Sequence, residues 1–333
     1  MPIVVVTGAS AGVGRATARE FARRGCDVAL IARNRERLEE AAAELRAASV
    51  RAQPIVADVA DFAAVDGAAT RVEQELGPID VWVNNAMATI FAPVHEIGAE
   101  EFRRATEVTY LGQVHGTMAA LARMRSRNRG TIVNVGSALA YRAIPLQSAY
   151  CGAKYAVRGF TDALRSELLH DRVNVHLTMV HLPAVNTPQF DWALNKTGRR
   201  PQPVPPIFQP EVPARAIVFA AFHRRREVWV GMPTVKAIVA NRIMPGVLDH
   251  LLATQGYSGQ LTEEPLPADA PANLFHTVPG PYGAHGRFDK RARTFSWEFF
   301  TSRHRDALAA GIVAAGALAL AALFERGHGR RRA

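Results

Sequence analysis

Apolar residues in the first half of the chain fall into short, near-continuous runs: Ile3–Val6, Val28–Ala32, Pro54–Ala57, Ile79–Val83, Thr131–Val135 and Val173–Val180. Runs of this length, rich in Val and Ile, suit strands buried on both faces. Between them lie longer helical stretches, Ala16–Arg24, Glu36–Ala47, Phe62–Leu76 and Glu101–Arg125. Strands alternating with helices of this length predict right-handed βαβ units and a doubly wound parallel α/β sheet. A helix over Pro213–His223, followed by the run Glu227–Val230, predicts a seventh strand.

Two segments break this rhythm. Thr187–Pro213 carries prolines at 188, 201, 203, 205, 206, 210 and 213. It follows strand six, where open α/β sheets bind ligands, and reads as a loop covering a substrate. The alternative is a floppy insertion. Residues 251–302 are again rich in Pro and Gly and read as a connector leading away from the body. After them comes ALAAGIVAAGALALAALF, residues 307–324, which holds no charge and has basic flanks. As a helix it would run ~27 Å, close to the ~30 Å hydrocarbon core of a bilayer. It reads as a membrane anchor, spanning or interfacial, with a soluble docking helix as the alternative. The expected organisation is a body over 1–250, a connector over 251–302 and an apolar helix with basic flanks over 303–333.

Composition narrows the classes. With 48% hydrophobic and 21% charged residues, the chain is globular in type. Lys and Arg outnumber Asp and Glu by 40 to 30, but residues 287–333 alone hold ten basic and four acidic side chains. The basic character is partly a property of the tail, and no nucleic-acid-binding motif accompanies it, so no nucleic acid is expected as a partner. Cys26 and Cys151 are too few for a disulfide framework or a Cys-based zinc site, and a reducing compartment fits. The start, MPIVVVTG, has no basic region ahead of its apolar run and does not read as a signal peptide. The expected location is cytoplasmic, membrane-associated through the tail. His95, His115, His170, His176 and His181 show no metal-ligand spacing, so no metal is expected.

The strongest local feature is Thr7-Gly8-Ala9-Ser10-Ala11-Gly12-Val13-Gly14, directly after strand one and opening a helix. Glycines there allow a tight turn and let backbone approach a pyrophosphate at a helix N-terminus. At the end of strand two stand Ala32-Arg33-Asn34-Arg35, with no acid to bind a ribose 2′-hydroxyl. Guanidinium groups pair well with phosphate, which favours NADP(H), with Arg33 as the reader. The alternative makes Arg33 and Arg35 solvated surface charges.

Further motifs follow in order: Asp58-Val59 after strand three, Asn84-Asn85-Ala86 ending strand four, Ser137 past strand five, Tyr150-Cys151-Gly152-Ala153-Lys154, and Pro183-Ala184-Val185-Asn186-Thr187 after strand six. Together with the glycine turn, they resemble the short-chain dehydrogenase/reductase family from residue 3 to about 231. Met87 and Ala184 stand where the family has glycines. The resemblance implies a Rossmann-type sheet of about seven strands and an NADP(H)-dependent oxidoreductase interconverting alcohol and carbonyl groups. It gives cofactor contacts to Thr7, Gly8, Ser10, Gly12, Val13, Gly14, Asp58, Val59, Asn85, Ala86, Tyr150, Lys154, Pro183, Val185 and Thr187.

Tyr150 and Lys154 are four residues apart and share a helix face. A lysine cation beside a phenol lowers its pKa from ~10, letting it exchange a proton near neutral pH. Ser137 would orient the same substrate oxygen. The family's fourth catalytic residue, an asparagine that lends a main-chain carbonyl to a proton relay, is replaced by Thr109. A working but altered relay is expected. Phe190, Trp192 and Phe208 in the covering loop suggest an apolar substrate, and the family implies a homo-oligomer. The alternative function is a catalytically altered cofactor-binding regulator or a membrane scaffold.

Overall fold

The computed structural model describes residues 1–311 and 315. Seven strands form one sheet: β1 (Ile3–Thr7), β2 (Asp27–Ala32), β3 (Ala52–Val56), β4 (Val81–Asn84), β5 (Gly130–Ser137), β6 (Val175–Leu182) and β7 (Glu227–Trp229). Their spatial order is β7-β6-β5-β4-β1-β2-β3, and every neighbouring pair is parallel. The order reverses between β1 and β4, the switch point at which open α/β sheets take their ligands.

The unbroken apolar runs have a direct cause. In β1 every residue is buried, because successive side chains serve opposite faces of a covered sheet. Val4 and Val6 join one core with α1 (Gly12–Ala22), α2 (Arg35–Arg46) and the helix Glu211–Phe222. Ile3 and Val5 join the other, with α3 (Phe62–Glu75), α4 (Ala99–Thr106), α5 (Gly112–Ser126) and α6 (Ser148–His170). Asn34 caps α2 by accepting from Arg37 N at 2.8 Å, and Asp61 caps α3 the same way. Such caps are worth about 1 kcal/mol each.

Two expectations change, and one alternative falls. The single helix expected over Glu101–Arg125 is interrupted by a π-helical stretch, Glu107–Leu111, between α4 and α5; Thr109 is at its centre. The segment after strand six is pinned rather than floppy. Leu194–Asn195 pairs with Ile90–Phe91, Arg199–Pro201 with Leu261–Pro265, and Ile207–Phe208 with Ala292–Arg293. The stretch expected to lead away from the body returns to it instead, as a strap. Leu274 is buried in the second core, Gly12 N donates to Gly283 O at 3.0 Å, and Asn186 donates to Asp289 Oδ1 at 2.8 Å. Most of the apolar stretch 307–324 lies outside the described residues; among the described residues no helix is long and apolar enough to cross a membrane.

Candidate active site

The loops that leave the C-terminal ends of β1 through β6 meet at one edge around a cavity of about 460 Å³. At the turn after β1, Gly8 has φ +68°, and a Cβ there would stand 2.8 Å from Ala86 Cα. A Cβ at Gly14 would stand 2.2 Å from Gly8 O. Only glycine fits at either place, so backbone packs closely at the start of α1, where Gly12 N donates to Gly283 O of the strap. Thr7 and Asn85 knit this turn together. Thr7 Oγ1 accepts from Asn85 N at 3.0 Å and Ala86 N at 3.1 Å, and Asn85 Nδ2 donates to Thr7 O at 3.0 Å. Both residues position the turn, while Gly8, Ser10, Gly12, Val13, Asn85 and Ala86 line the cavity.

Across the cavity, the end of β5 and the first turns of α6 bring Ser137, Tyr150 and Lys154 to one wall. Ser137 Oγ accepts from Leu139 N at 3.1 Å. Its carbonyl lies 3.2 Å from Nδ1 of the fully buried His181, so His181 supports the end of β5 and does not line the cavity. Lys154 is 1% exposed; its Nζ donates to Val135 O at 2.7 Å and stands 5.5 Å from the Tyr150 ring centroid. Burial pushes the ammonium down to about 7. It pushes the Tyr150 phenol well above its ordinary value, against a hydrogen bond with Ser137 that works the other way. Desolvation penalises phenolate and ammonium alike and so works against the lowering expected from Lys154. Cys151, pushed up to about 11 by burial, is no nucleophile.

Thr109 is fully buried. Its hydroxyl accepts from Ala88 N at 2.9 Å and donates to Ala88 O at 2.8 Å. It thus clips the π-helical turn to the segment after β4, and single π turns of this sort recur at functional sites.

At the far end of the cavity the arginines divide. Arg15 is tied to Glu44 at 2.6 Å. Arg33 donates to Leu274 O at 3.3 Å, Phe275 O at 3.1 Å and also to Asn273 O, so its guanidinium anchors the strap. Arg35 is exposed. Asp58 pairs with Arg104 and accepts from Ala60 N at 3.0 Å, while Val59 lies beside it in the lining. Pro183, Val185 and Thr187 line the cavity too, held by Phe208 N donating to Ala184 O at 2.9 Å.

Sequence reasoning missed Arg37, Gln147 and Asn273, which also line the cavity. Gln147 is held by Gln260 at 2.7 Å, a partner 113 positions away that leaves no local signal. It also missed the buried chain beneath the site, in which Asn84 Nδ2 donates to Asn134 Oδ1 and Asn134 Nδ2 to Thr161 Oγ1, both at 2.9 Å. The remaining lining includes the apolar Phe91, Leu139, Ile144, Phe190, Val204, Pro205, Pro233 and Ala237 and the polar Thr89, Gln189, Gln202 and Thr277. Among the described residues no group of three His, Cys, Asp or Glu side chains could hold a metal ion.

Residues 2–196 match the family model described as short chain dehydrogenase. The uncharacterized oxidoreductase YxnA of Bacillus subtilis (strain 168) is 31% identical over 322 residues, spanning 96% of this chain and 90% of that protein. The 3-dehydrosphinganine reductase of Danio rerio is 32% identical over 192 residues, spanning 56% of this chain and 57% of that protein. Among solved structures, an alcohol dehydrogenase from the archaeon Thermococcus sibiricus, complexed with 5-hydroxy-NADP, aligns with a TM-score of 0.60 at 28% identity. It covers 69% of this chain and 96% of that one.

Proposed function

The chain belongs to the short-chain dehydrogenase family and is an NADP(H)-dependent oxidoreductase of alcohol and carbonyl groups; from that premise we propose that it reduces an apolar carbonyl compound, with Tyr150 as its proton donor. The observation that carries this reading is the cavity lining, which brings Ser137, Tyr150 and Lys154 together with apolar side chains such as Phe91, Leu139, Ile144 and Phe190.

The residues present suit the cofactor: a glycine turn without room for Cβ atoms at the start of α1, and arginines at the far end. Gly12, Val13, Asn85, Ala86, Val185 and Thr187 would hold it, and when bound it supplies or takes the hydride. The chain does the rest. Tyr150 hands a proton to the substrate oxygen and Ser137 orients that oxygen. Lys154 sits beside the phenol and restrains it electrostatically. The apolar walls exclude water and favour a substrate with a large hydrocarbon part. The 3-dehydrosphinganine reductase likeness supports a long-chain carbonyl compound.

The same reading includes a homo-oligomer through α5 and α6, supported by the exposed Met118, Tyr155 and Leu169 on those helices. It also keeps residues 307–324 as a membrane anchor, supported by their uncharged sequence and tested by sedimentation with bilayers. The enzymatic core of the proposal is tested by NADPH oxidation with matched lipophilic and polar ketones. Turnover confined to lipophilic ketones supports it; equal turnover of short polar ketones contradicts the apolar substrate.

A further inference from the structure

Alternation along β6 puts position 181 on the same side as the buried Leu177 and Met179, yet the chain has a fully buried histidine there. A buried imidazole costs free energy unless its nitrogens find partners, so an apolar residue would pack at this place at lower cost. The neighbouring strand is also shaped around the ring. Gly136 pairs with His181 across β5 and β6, and a Cβ on Gly136 would stand 2.7 Å from His181 Nδ1. The glycine before Ser137 thus leaves room for the ring that touches Ser137.

The contacts of that ring run from Ser137 to the edge of the sheet. A carbonyl can only accept, so Nδ1 donates to Ser137 O at 3.2 Å. Nε2 has no hydrogen-bond partner among the described residues and stands 3.6 Å from Glu227 Oε2 on the edge strand β7. That oxygen accepts from Tyr141 at 2.5 Å and from Trp229 Nε1 at 3.0 Å. Burial works against the charge of Glu227, but His181, Tyr141 and Trp229 outweigh it and hold the carboxyl well below the usual carboxylate range. Tyr141 in turn closes the short 3-10 turn whose start Ser137 caps, its N donating to Ala138 O at 3.1 Å. Its ring meets His181 edge to face at 4.9 Å, and its carbonyl accepts from Tyr155 at 2.6 Å and Asn241 at 2.8 Å. One network therefore holds both ends of the turn, whose Ala138 and Leu139 line the cavity with Ser137.

We propose that His181 and Glu227 are positioning residues for the reduction, holding Ser137 by its carbonyl and by the turn to Tyr141 where its hydroxyl meets the substrate oxygen. Neither side chain lines the cavity, so both act through Ser137. The inference rests on the role given to Ser137 above and adds what sets its position. A reacting group misplaced by about 1 Å costs up to ~10²-fold in rate, which sets the size of the effect.

The test is a double-mutant cycle on the full-length protein, read in kcat for NADPH-dependent reduction of a long-chain methyl ketone. His181→Leu should lower kcat by ~10- to 100-fold and leave the Kd for NADPH within about twofold. In a Ser137→Ala background the same substitution should change kcat by less than about twofold, because the group it positions is gone. His181→Asn, whose amide can donate to the Ser137 carbonyl, should recover part of the rate. A general packing defect would lower kcat by the same factor in both backgrounds, and that result would overturn the proposal. So would an unchanged kcat in His181→Leu. Should His181→Leu not fold, Tyr141→Phe decides, since it removes the bond to Glu227 and keeps the ring. A several-fold loss of kcat that vanishes in the Ser137→Ala background supports the proposal, and a loss that persists there, or no loss, overturns it. Failure of the underlying reading looks different: Ser137→Ala alone would then keep the wild-type rate, which overturns both.

Discussion

The two ends of the cavity are built in opposite ways. At the Tyr150 end, every working group hangs from regular structure close by: Ser137 from β5, Tyr150 and Lys154 one turn apart on α6, and Thr109 on the turn that opens α5. At the Arg37 end, the floor is α2 but the roof is the strap, joined to Arg33 by hydrogen bonds across 240 positions or more. The first end is rigid because a sheet and a 23-residue helix hold it. The second holds only as long as the strap stays down. Chemistry set in the sheet should therefore survive damage to the strap.

The largest expected effect lies at the rigid end. Tyr150→Phe removes the proton donor and keeps the ring, and should cost ~10²- to 10⁴-fold in turnover with NADPH affinity within about twofold. Steady-state rates near wild type would end the idea that this phenol does the chemistry. Thr109→Val comes next. It strips both Ala88 backbone groups of their partner inside the core and should cost about 1–3 kcal/mol in a denaturant melt. Thr109→Asn, whose amide can both accept and donate, should stay near wild type. A melt for Thr109→Val indistinguishable from wild type would show that the π turn holds without its clip.

These outcomes bear on how much the sequence disclosed. Strand runs were readable because a doubly covered sheet demands continuous apolar residues. The Tyr150–Lys154 pair was readable because a spacing of four shares a helix face. The strap was not, since Pro- and Gly-rich chain carries no periodicity and its partners, such as Gly12 and Gly283, lie far apart in sequence. Arg37 was hidden for a related reason: within RERLEE it reads as one more charged helix position. Trp192 and Tyr282, arriving from two distant segments, pack against its guanidinium and help to bury it.

Smaller effects belong to the strap. Arg33→Met frees the carbonyls of 273–275 and should speed amide exchange across that segment by ~5- to 10-fold, about 1 kcal/mol of lost closure, without altering exchange in α6. Equal acceleration in both regions would deny the strap its independence. The smallest concerns His285, which lies 2.9 Å from Glu211 and 2.6 Å from Asp289. Burial works against its charge, but the two carboxylates outweigh it and its pKa is raised. A raised histidine gives its full contribution below its unfolded pKa of ~6.5 and loses it as pH rises through the folded value. Strap residues near His285 should therefore exchange more slowly at pH 6 than at pH 8, after correction for intrinsic rates. His285→Gln should erase the difference, and a pH dependence that persists in the variant would assign it to another group.

The central claim is a hydride transfer from NADPH to an apolar carbonyl compound, completed by a proton from Tyr150. NADPH carrying two deuteriums at the reactive nicotinamide carbon, incubated with the enzyme and a long-chain ketone, tests it in one mass spectrum of the product against an internal standard. The account predicts an alcohol with one deuterium on its carbinol carbon from the wild type and almost no alcohol from Tyr150→Phe. An unlabelled alcohol, or a wild-type yield from Tyr150→Phe, would contradict it.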